Sequence, residues 1–404
     1  MIGLIIFFIF SAILVWFSVK SLIGGIDYLT YFKQELAKPP SDWEPMVTIF
    51  APCKGVDQGM LANFDALLQQ DLPEYEVVFI VDDSDDPAAG IIESAWQEAE
   101  RHVKLVVAPK ATESSQKVEN LREGVLRADD RSEVFVFVDS DTRPSPGWLR
   151  ALIAPLLDGT IGVATGYRWF ISEKPTFASE LRSVWNSSIA SALGPNEKSN
   201  FAWGGSMAIR RDTFERIGMR DKWHGTLSDD FAVTRAMNAG GLRIRFVPQA
   251  LTASVESCTL RELFEFTTRQ MKITRVYMPN LWLLSFFGSG LFNAVMITAL
   301  FIAIFSPTNG VAVWAALATL ILVSALSIGK AWLRLKAVRL ALPQFEKELS
   351  KQAVTQNTLW AVSPAVFLYN CIAALLSRTM LWRGTRYTMA SAERTLVATT
   401  KTPK

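Results

Sequence analysis

The sequence predicts an α/β protein: a mixed, mostly parallel sheet domain with helices on both faces, plus transmembrane helices at both ends. Three observations lead there. Residues from about 44 to 260 alternate between strand-like and helix-like patterns. Long uncharged apolar stretches flank that region on both sides. Two of the strand patterns end in clusters of aspartate, FIVDDSDD and FVFVDSD.

The composition agrees. The chain has 404 residues, enough for two or three units at roughly 150 residues each. Half of it is hydrophobic and 20% is charged, against about 25% charged in soluble domains. That excludes a disordered chain, which would be poor in apolar residues, and a wholly soluble one. Lys+Arg 41 against Asp+Glu 39 gives a net charge of +2, so no global basic field points to nucleic acid. Cys53, Cys258 and Cys371 are too few and too scattered for a disulfide framework. With only His102 and His224, a His-rich zinc site is excluded. Any metal would be held by carboxylates, which favour Mg²⁺ or Mn²⁺.

The first 19 residues carry no charge and nearly match the roughly 30 Å of bilayer hydrocarbon. No basic residue precedes them and no A-x-A cleavage site follows. They read as an uncleaved anchor over residues 1–25 rather than a signal peptide. A linker, ELAKPPSDWE at 35–44, leads into the sheet domain at 44–260. There, strands are expected at 47–52, 76–81, 103–107, 133–138 and 161–166. Helices are expected at 60–70, 89–100, 118–128 and 148–157. Alternation of this kind makes βαβ units, and uniformly apolar strands are those covered on both faces. Residues 261–280 read as an interfacial helix. Two apolar blocks, 281–306 and 311–329, flank Pro307-Thr308-Asn309-Gly310 and read as a transmembrane hairpin. A basic segment at 330–351 and an uncharged stretch at 352–377, containing Pro364 and Asn370, come next. A tail at 378–404 ends the chain.

Lysine and arginine mark the cytosolic side. Lys20, Lys33 and Lys38 follow the first helix, and Lys330, Arg334, Lys336 and Arg339 follow the third. Both place the sheet domain in the cytosol. A full span at 352–377 would put Arg378, Arg383 and Arg386 outside, so a re-entrant or interfacial segment is expected. With no targeting tail in view, the expected location is a bacterial inner membrane.

In open α/β sheets, ligands bind beyond the carboxyl ends of the strands. The first acidic end carries Asp82, Asp83, Asp85 and Asp86; the second carries Asp139 and Asp141. Aspartate is a common turn residue. A D-x-D pair delivered by the apolar strand VFVFV, however, sets two carboxylates at one sheet edge. They repel unless a cation joins them, and a divalent ion there can also take diphosphate oxygens. A third site is LSDDF, at 227–231. Ser228 or Asp229 can cap a helix that ends at Gly240 and Gly241. Two acids beside Ser228 exceed what a cap requires, and one can serve as a base. Fourth, Arg269, Lys272 and Arg275 stand at i, i+3 and i+6 before the hairpin, facing anionic lipid or phosphate. Trp203 and Trp223 read either as core or as sugar-stacking residues. His224 reads either as a surface residue or as support for the acid pair.

The order of motifs resembles membrane-bound family-2 glycosyltransferases with a GT-A fold, and within them the ceramide glucosyltransferase branch, family 21. The resemblance runs from about residue 47 to 387 through VTIFAPCKGVD, YEVVFIVDDSDDPA, QKVENL, FVFVDSD, GGSMAIRRD, LSDDF, the Arg269 segment and WRGTRY (382–387). It implies that Asp83 and Asp86 contact the nucleotide. It further implies that Asp139 and Asp141 hold a Mg²⁺ or Mn²⁺ ion and the diphosphate, that Lys117 lies in the nucleotide-sugar pocket, that Asp230 deprotonates the acceptor hydroxyl, and that Arg269 stands near the diphosphate. Two positions depart from the family pattern around Arg269: Phe266 replaces Gln or Arg, and Gln270 replaces Trp. In processive synthases that Trp helps form the acceptor-end site.

The expected activity is therefore inverting, metal-dependent transfer of one sugar, glucose by family default, from a UDP-sugar donor to a membrane lipid acceptor such as ceramide. A processive polysaccharide synthase and a non-catalytic membrane scaffold are the alternatives. A dinucleotide-binding dehydrogenase lacks its G-x-G-x-x-G; APCKGVD follows the first strand instead.

Overall fold

The computed structural model describes residues 2–97, 101–306 and 310–399. The last turn of the helix expected at 89–100, the turn at 307–309 and the final residues of the tail lie outside the described residues. The chain divides into two compact units. One is a sheet unit of Gln34–Glu173, Ala192–Ser257 and Arg378–Lys404; the other is a helical unit of Met1–Lys33, Lys174–Ser191 and Cys258–Ser377.

The sheet unit is built on seven strands: β1 (Val47–Pro52), β2 (Tyr75–Val81), β3 (His102–Val107), β4 (Val134–Val138), β5 (Ile161–Ile171), β6 (Ser206–Arg210) and β7 (Arg243–Val255). Their order is β3-β2-β1-β4-β6-β5-β7. β1 pairs in parallel with β2 and β4, β2 with β3, and β5 with β7, while β6 runs antiparallel to both β4 and β5. The sheet is thus mixed and mostly parallel, as expected. Every residue of β1, β2, β4 and β5 is buried. That is the condition under which a strand reads as an unbroken apolar run.

Helices on both faces complete two cores. One gathers the Met60–Leu68, Pro87–Gln97 and Trp148–Ile153 helices around Ile49, Val77 and Val136. The other is aromatic: Phe137 lies 5.4 Å from Phe50 and 5.3 Å from Trp223, which itself lies 5.3 Å from Phe214. Such pairs add about 0.5–1.5 kcal/mol each beyond area burial. Trp223 is fully buried, so of its two readings the core one holds.

Three differences from the sequence reading matter for the site. β5 does not stop at 166 but continues to Ile171. Gly166 sits at an irregularity where Thr165 pairs with Phe246 but Tyr167 with Leu251. A Cβ there would lie 2.0 Å from the Ala250 carbonyl oxygen, so glycine marks a close backbone approach rather than an end. Second, the tail folds: β8 (Thr379–Trp382), β9 (Thr385–Met389) and β10 (Thr395–Thr399) form an antiparallel sheet that belongs to the sheet unit. Third, residues 174–191, expected inside the 44–260 domain, belong to the helical unit. The reason is polar. In the Phe177–Ala190 helix, Glu180 accepts a hydrogen bond from the Thr355 hydroxyl, and Ser183 Oγ accepts one of 3.2 Å from Gln356.

In the helical unit, Ile2–Leu36, Pro279–Phe305, Gly310–Ala341 and Leu359–Leu376 are long and apolar enough to cross a membrane. The first runs past the expected anchor and takes in the start of the linker. The third absorbs the front of the expected 330–351 segment, whose remainder forms the Glu346–Gln356 helix. The Leu260–Tyr277 helix opens with a capping box between Thr259 and Glu262. It buries Leu263, Thr267, Met271 and Thr274 on one face.

Candidate active site

The carboxyl ends of β1, β2 and β4 lie at one edge of the sheet, and β6, being antiparallel, begins there: Ser206 stands opposite Val138. The three acidic motifs all belong to this unit, and their surroundings differ.

The first acidic cluster is largely engaged in holding loops. Asp82 is buried and pairs with Lys54 at 2.6 Å and Lys110 at 3.4 Å. Asp86 accepts hydrogen bonds of 2.9 Å from both the Gly55 and Ala88 backbone N–H groups. It ties the loop after β1 to the start of the Pro87–Gln97 helix. Asp83 is exposed. The Asp85 N–H and then the Lys110 ammonium hold its carboxyl below the usual range.

The D-x-D pair is different. Arg168, from the part of β5 beyond Gly166, places Nη1 2.9 Å from Asp141 Oδ2 and Nη2 3.0 Å from Asp139 Oδ2. One guanidinium spans both carboxylates, a geometry that lysine cannot reproduce. Trp203 supports it from below, its ring 4.7 Å from the guanidinium carbon. Trp203 is itself 7% exposed, with one face covered by Arg168. On the other side of Asp139, Lys117 Nζ lies 2.7 Å from Oδ1 and also 3.1 Å from Asp229 Oδ1. Burial alone would push the Asp139 carboxyl up, but Lys117 and Arg168 outweigh it and hold it below its ordinary value. At Asp141, burial, with Asp139 and Asp57 adding to it, outweighs Arg168 and the lesser pull of Arg383, and the carboxyl ends above its ordinary value. Burial opposes the charge of both cations too, yet the surrounding carboxylates keep Lys117 and Arg168 firmly protonated.

The third motif joins the same network. Ser228 caps the Asp229–Ala239 helix. Asp229 is 3% exposed; burial raises its carboxyl to about 7, with Lys117 opposing and Asp230 and Asp139 adding to the rise. Gly204, just before β6, makes room for it: a Cβ there would fall 2.1 Å from Asp229 Oδ2 and 2.8 Å from Lys117 Nζ. Asp230 is partly exposed. It accepts hydrogen bonds from the Gly204 N–H at 3.2 Å, the Phe231 N–H at 2.7 Å and the Ser228 hydroxyl. The buried member of the pair is thus paired with lysine, and the accessible member is oriented by three donors.

Lys117, Asp139, Asp141 and Asp230 therefore come together, with Asp83 and Asp86 on the neighbouring β2 loop. Arg269 belongs to the helical unit, where its guanidinium lies 5.6 Å from the Phe266 ring. Arg275 donates to the Ala374 and Leu375 carbonyls at 2.6 and 3.0 Å, a helix C-terminal cap rather than an exposed cation. His224 is exposed and faces Glu113 at 3.1 Å, the surface reading. Arg168 was missed because β5 was ended at Gly166. Its signal was a lone arginine inside the apolar run IGVATGYRWFI, since a buried charge needs a partner.

Asp139 and Asp141 fit a divalent cation. Both offer hard carboxylate oxygens, and Asp141 Oδ1 is buried without a hydrogen-bond partner. Among the described residues no group of three or more His, Cys, Asp or Glu is placed to hold a metal. A Mg²⁺ or Mn²⁺ ion held there would take its remaining ligands from substrate oxygens and water, as Mg²⁺ sites with one or two carboxylates usually do.

The sequence profile of glycosyl transferase family 21 matches residues 13–395. The chain belongs to that family of glycosyltransferases. A ceramide glucosyltransferase of Komagataella phaffii is 27% identical over 84 residues, a match covering 20% of this chain and 16% of that relative. Among solved structures, a mannosyltransferase of Pyrobaculum calidifontis with GDP-mannose and Mn²⁺ is 18% identical, with a TM-score of 0.47, 91% of this chain and 98% of that chain covered. A glucosyl-3-phosphoglycerate synthase of Mycobacterium tuberculosis with Mn²⁺ and UDP is 13% identical, with a TM-score of 0.35 and coverages of 58% and 84%.

The Arg168 bridge can be tested without turnover. Arg168→Met leaves two carboxylates without their shared cation and is expected to lose about 3–5 kcal/mol of stability. Mn²⁺ should then raise the unfolding temperature of the variant more than that of the wild type, because the ion refills the gap. Equal shifts in a thermal-unfolding series would contradict the bridge.

Proposed function

We propose that this protein is an inverting hexosyltransferase that moves one sugar, glucose by family likeness, from a UDP-sugar to the hydroxyl of a membrane lipid such as ceramide. The observation that carries this reading is the network Arg168–Asp139/Asp141–Lys117–Asp229, with accessible Asp230 beside it, at the carboxyl edge of the sheet.

In this reading Asp230 accepts the proton of the acceptor hydroxyl. The hydroxyl oxygen forms a bond to the anomeric carbon as the bond from that carbon to the diphosphate oxygen breaks, and the electron pair leaves with UDP. Attack from the face opposite the leaving group inverts the anomeric configuration. The hydrogen bonds from Gly204, Ser228 and Phe231 fix where the Asp230 carboxylate points. Lys117 and Arg168, kept cationic, offset the charge that builds on the diphosphate. Asp139 and Asp141 would hold a Mg²⁺ or Mn²⁺ ion, which would supply further positive charge to offset that of the diphosphate. Asp83 and Asp86 belong to the nucleotide side of the site. Arg269, on the helix leading toward the hairpin, is assigned to the diphosphate by family likeness alone.

The lipid acceptor rests on the four apolar helices and on the relative's activity. Topology supports a membrane-embedded enzyme with its sheet unit in the cytosol. Residues 34–173, 192–257 and 378–404 form one compact unit, and this reading puts that unit on one side of the bilayer. If the hairpin crosses twice, Leu359–Leu376 returns to the side it left, as expected of a re-entrant segment. Cysteines introduced at Ser306 and Ser391 in inside-out and right-side-out vesicles test this. A membrane-impermeant thiol reagent should reach them from opposite sides; reaction from one side would refute the arrangement.

The base assignment has its own test. Asp230→Asn is expected to lower kcat by about 10²–10⁴-fold, the usual contribution of a positioned proton acceptor, in protein that remains folded. Near-normal turnover in the folded variant would remove Asp230 from the role.

A further inference from the structure

The WRGTRY motif has no part in the mechanism above, yet the fold brings it to the site. Trp382 pairs with Thr385 across a two-residue turn of Arg383 and Gly384. Both turn residues have positive φ, 48° and 77°, the pattern of a type I′ hairpin turn, which normally carries Asn-Gly. Arg383 is the one non-glycine residue with positive φ among those described. A long cationic side chain in that conformation is held there by its surroundings.

Those surroundings are the loops of the site. Tyr387, on β9, accepts a hydrogen bond of 3.2 Å from the backbone N–H of Gln116, the residue before Lys117. Glu393 pairs with Arg235 at 2.6 Å, on the helix that begins at Asp229. The Glu393 carbonyl oxygen lies so near Gly225 that a Cβ there would sit 2.2 Å from it. The hairpin is thus fastened to the segments that carry Lys117 and the Asp229-Asp230 pair. Its tip aims inward: the Arg383 guanidinium forms an ion pair with Asp57 in the loop after β1. Asp57 in turn accepts a hydrogen bond of 2.7 Å from the hydroxyl of Ser140, the middle residue of the D-x-D.

Three cations therefore stand by the D-x-D, and they differ in access. The Lys117 and Arg168 side chains are 15% and 10% exposed, whereas Arg383 is 43% exposed and its partner Asp57 only 8%. Lys117 and Arg168 are committed to buried carboxylates. Arg383 combines charge, a planar fork of donors and an open face, the features that bind a diphosphate.

We propose that Arg383 binds the diphosphate of the nucleotide donor, exchanging its contact with Asp57 for phosphate oxygens. This rests on the transferase reading and adds a residue from the C-terminal hairpin to the donor site. Isothermal titration of the full-length protein in detergent with Mg²⁺, using UDP and UMP as probes, tests it. The wild type should prefer UDP, and Arg383→Ala should lose about tenfold or more of its UDP affinity, the scale of a charge-assisted contact, with UMP affinity unchanged. Arg383→Lys should recover only part of the loss. Arg383→Gln, which keeps stem and donors without charge, serves if the alanine variant does not fold. An unchanged UDP-to-UMP ratio in folded variants, or failure of both the alanine and glutamine variants to fold, would overturn the proposal. Wild-type protein that binds no nucleoside diphosphate would overturn the transferase reading as well.

Discussion

Two aspartates at the end of one buried strand cannot share a sheet edge as free anions, and the arrangement of the sheet unit around Asp139 and Asp141 follows from that constraint. Arg168 spans both carboxylates, and Lys117 links Asp139 to Asp229. Placing Arg168 there requires β5 to run past Gly166, and the close approach at Gly166 requires glycine. Bringing Asp229 within reach of Lys117 requires another glycine, Gly204, before the antiparallel β6. Removing either cation leaves buried charge uncompensated, which costs far more than a surface pair is worth. The network also sets cations and carboxylate oxygens side by side at this edge, the setting the proposed donor diphosphate requires.

The same network gives two neighbouring acids different surroundings. Asp229 is enclosed with Lys117, and burial lifts its carboxyl toward neutrality. Asp230 is partly exposed, held by three hydrogen bonds at the start of a helix. Access and a fixed direction are what the base role proposed for Asp230 requires.

Much of this was legible in the sequence. β1 is found where VTIFAP predicts it, and β4 follows from VFVFV, because unbroken apolar runs bounded by turn residues have few alternatives. The grouping of Lys117, Asp139, Asp141 and Asp230 followed from motif order. What was not legible depends on long-range contacts. Gly166 reads as a strand end from local sequence and is a site of close backbone approach in the fold. The segment 174–191 follows no visible composition shift; its place is decided by partners such as Thr355 and Gln356, far along the chain. The C-terminal sheet carries little local signal, because Arg-Gly is not a usual hairpin signal. The hold of Asp86 on the Gly55 and Ala88 backbone N–H groups also joins separate parts of the chain and has no local signal.

The central claim is that the site transfers one sugar to a lipid. The most direct measurement is a transfer assay on purified protein in detergent, with several UDP-sugars, Mg²⁺ or Mn²⁺, and ceramide and diacylglycerol as acceptors, read by mass spectrometry. The account predicts one added hexose on one lipid class, with stoichiometric UDP. A ladder of added sugars, or neither transfer nor UDP release from any donor, would contradict it.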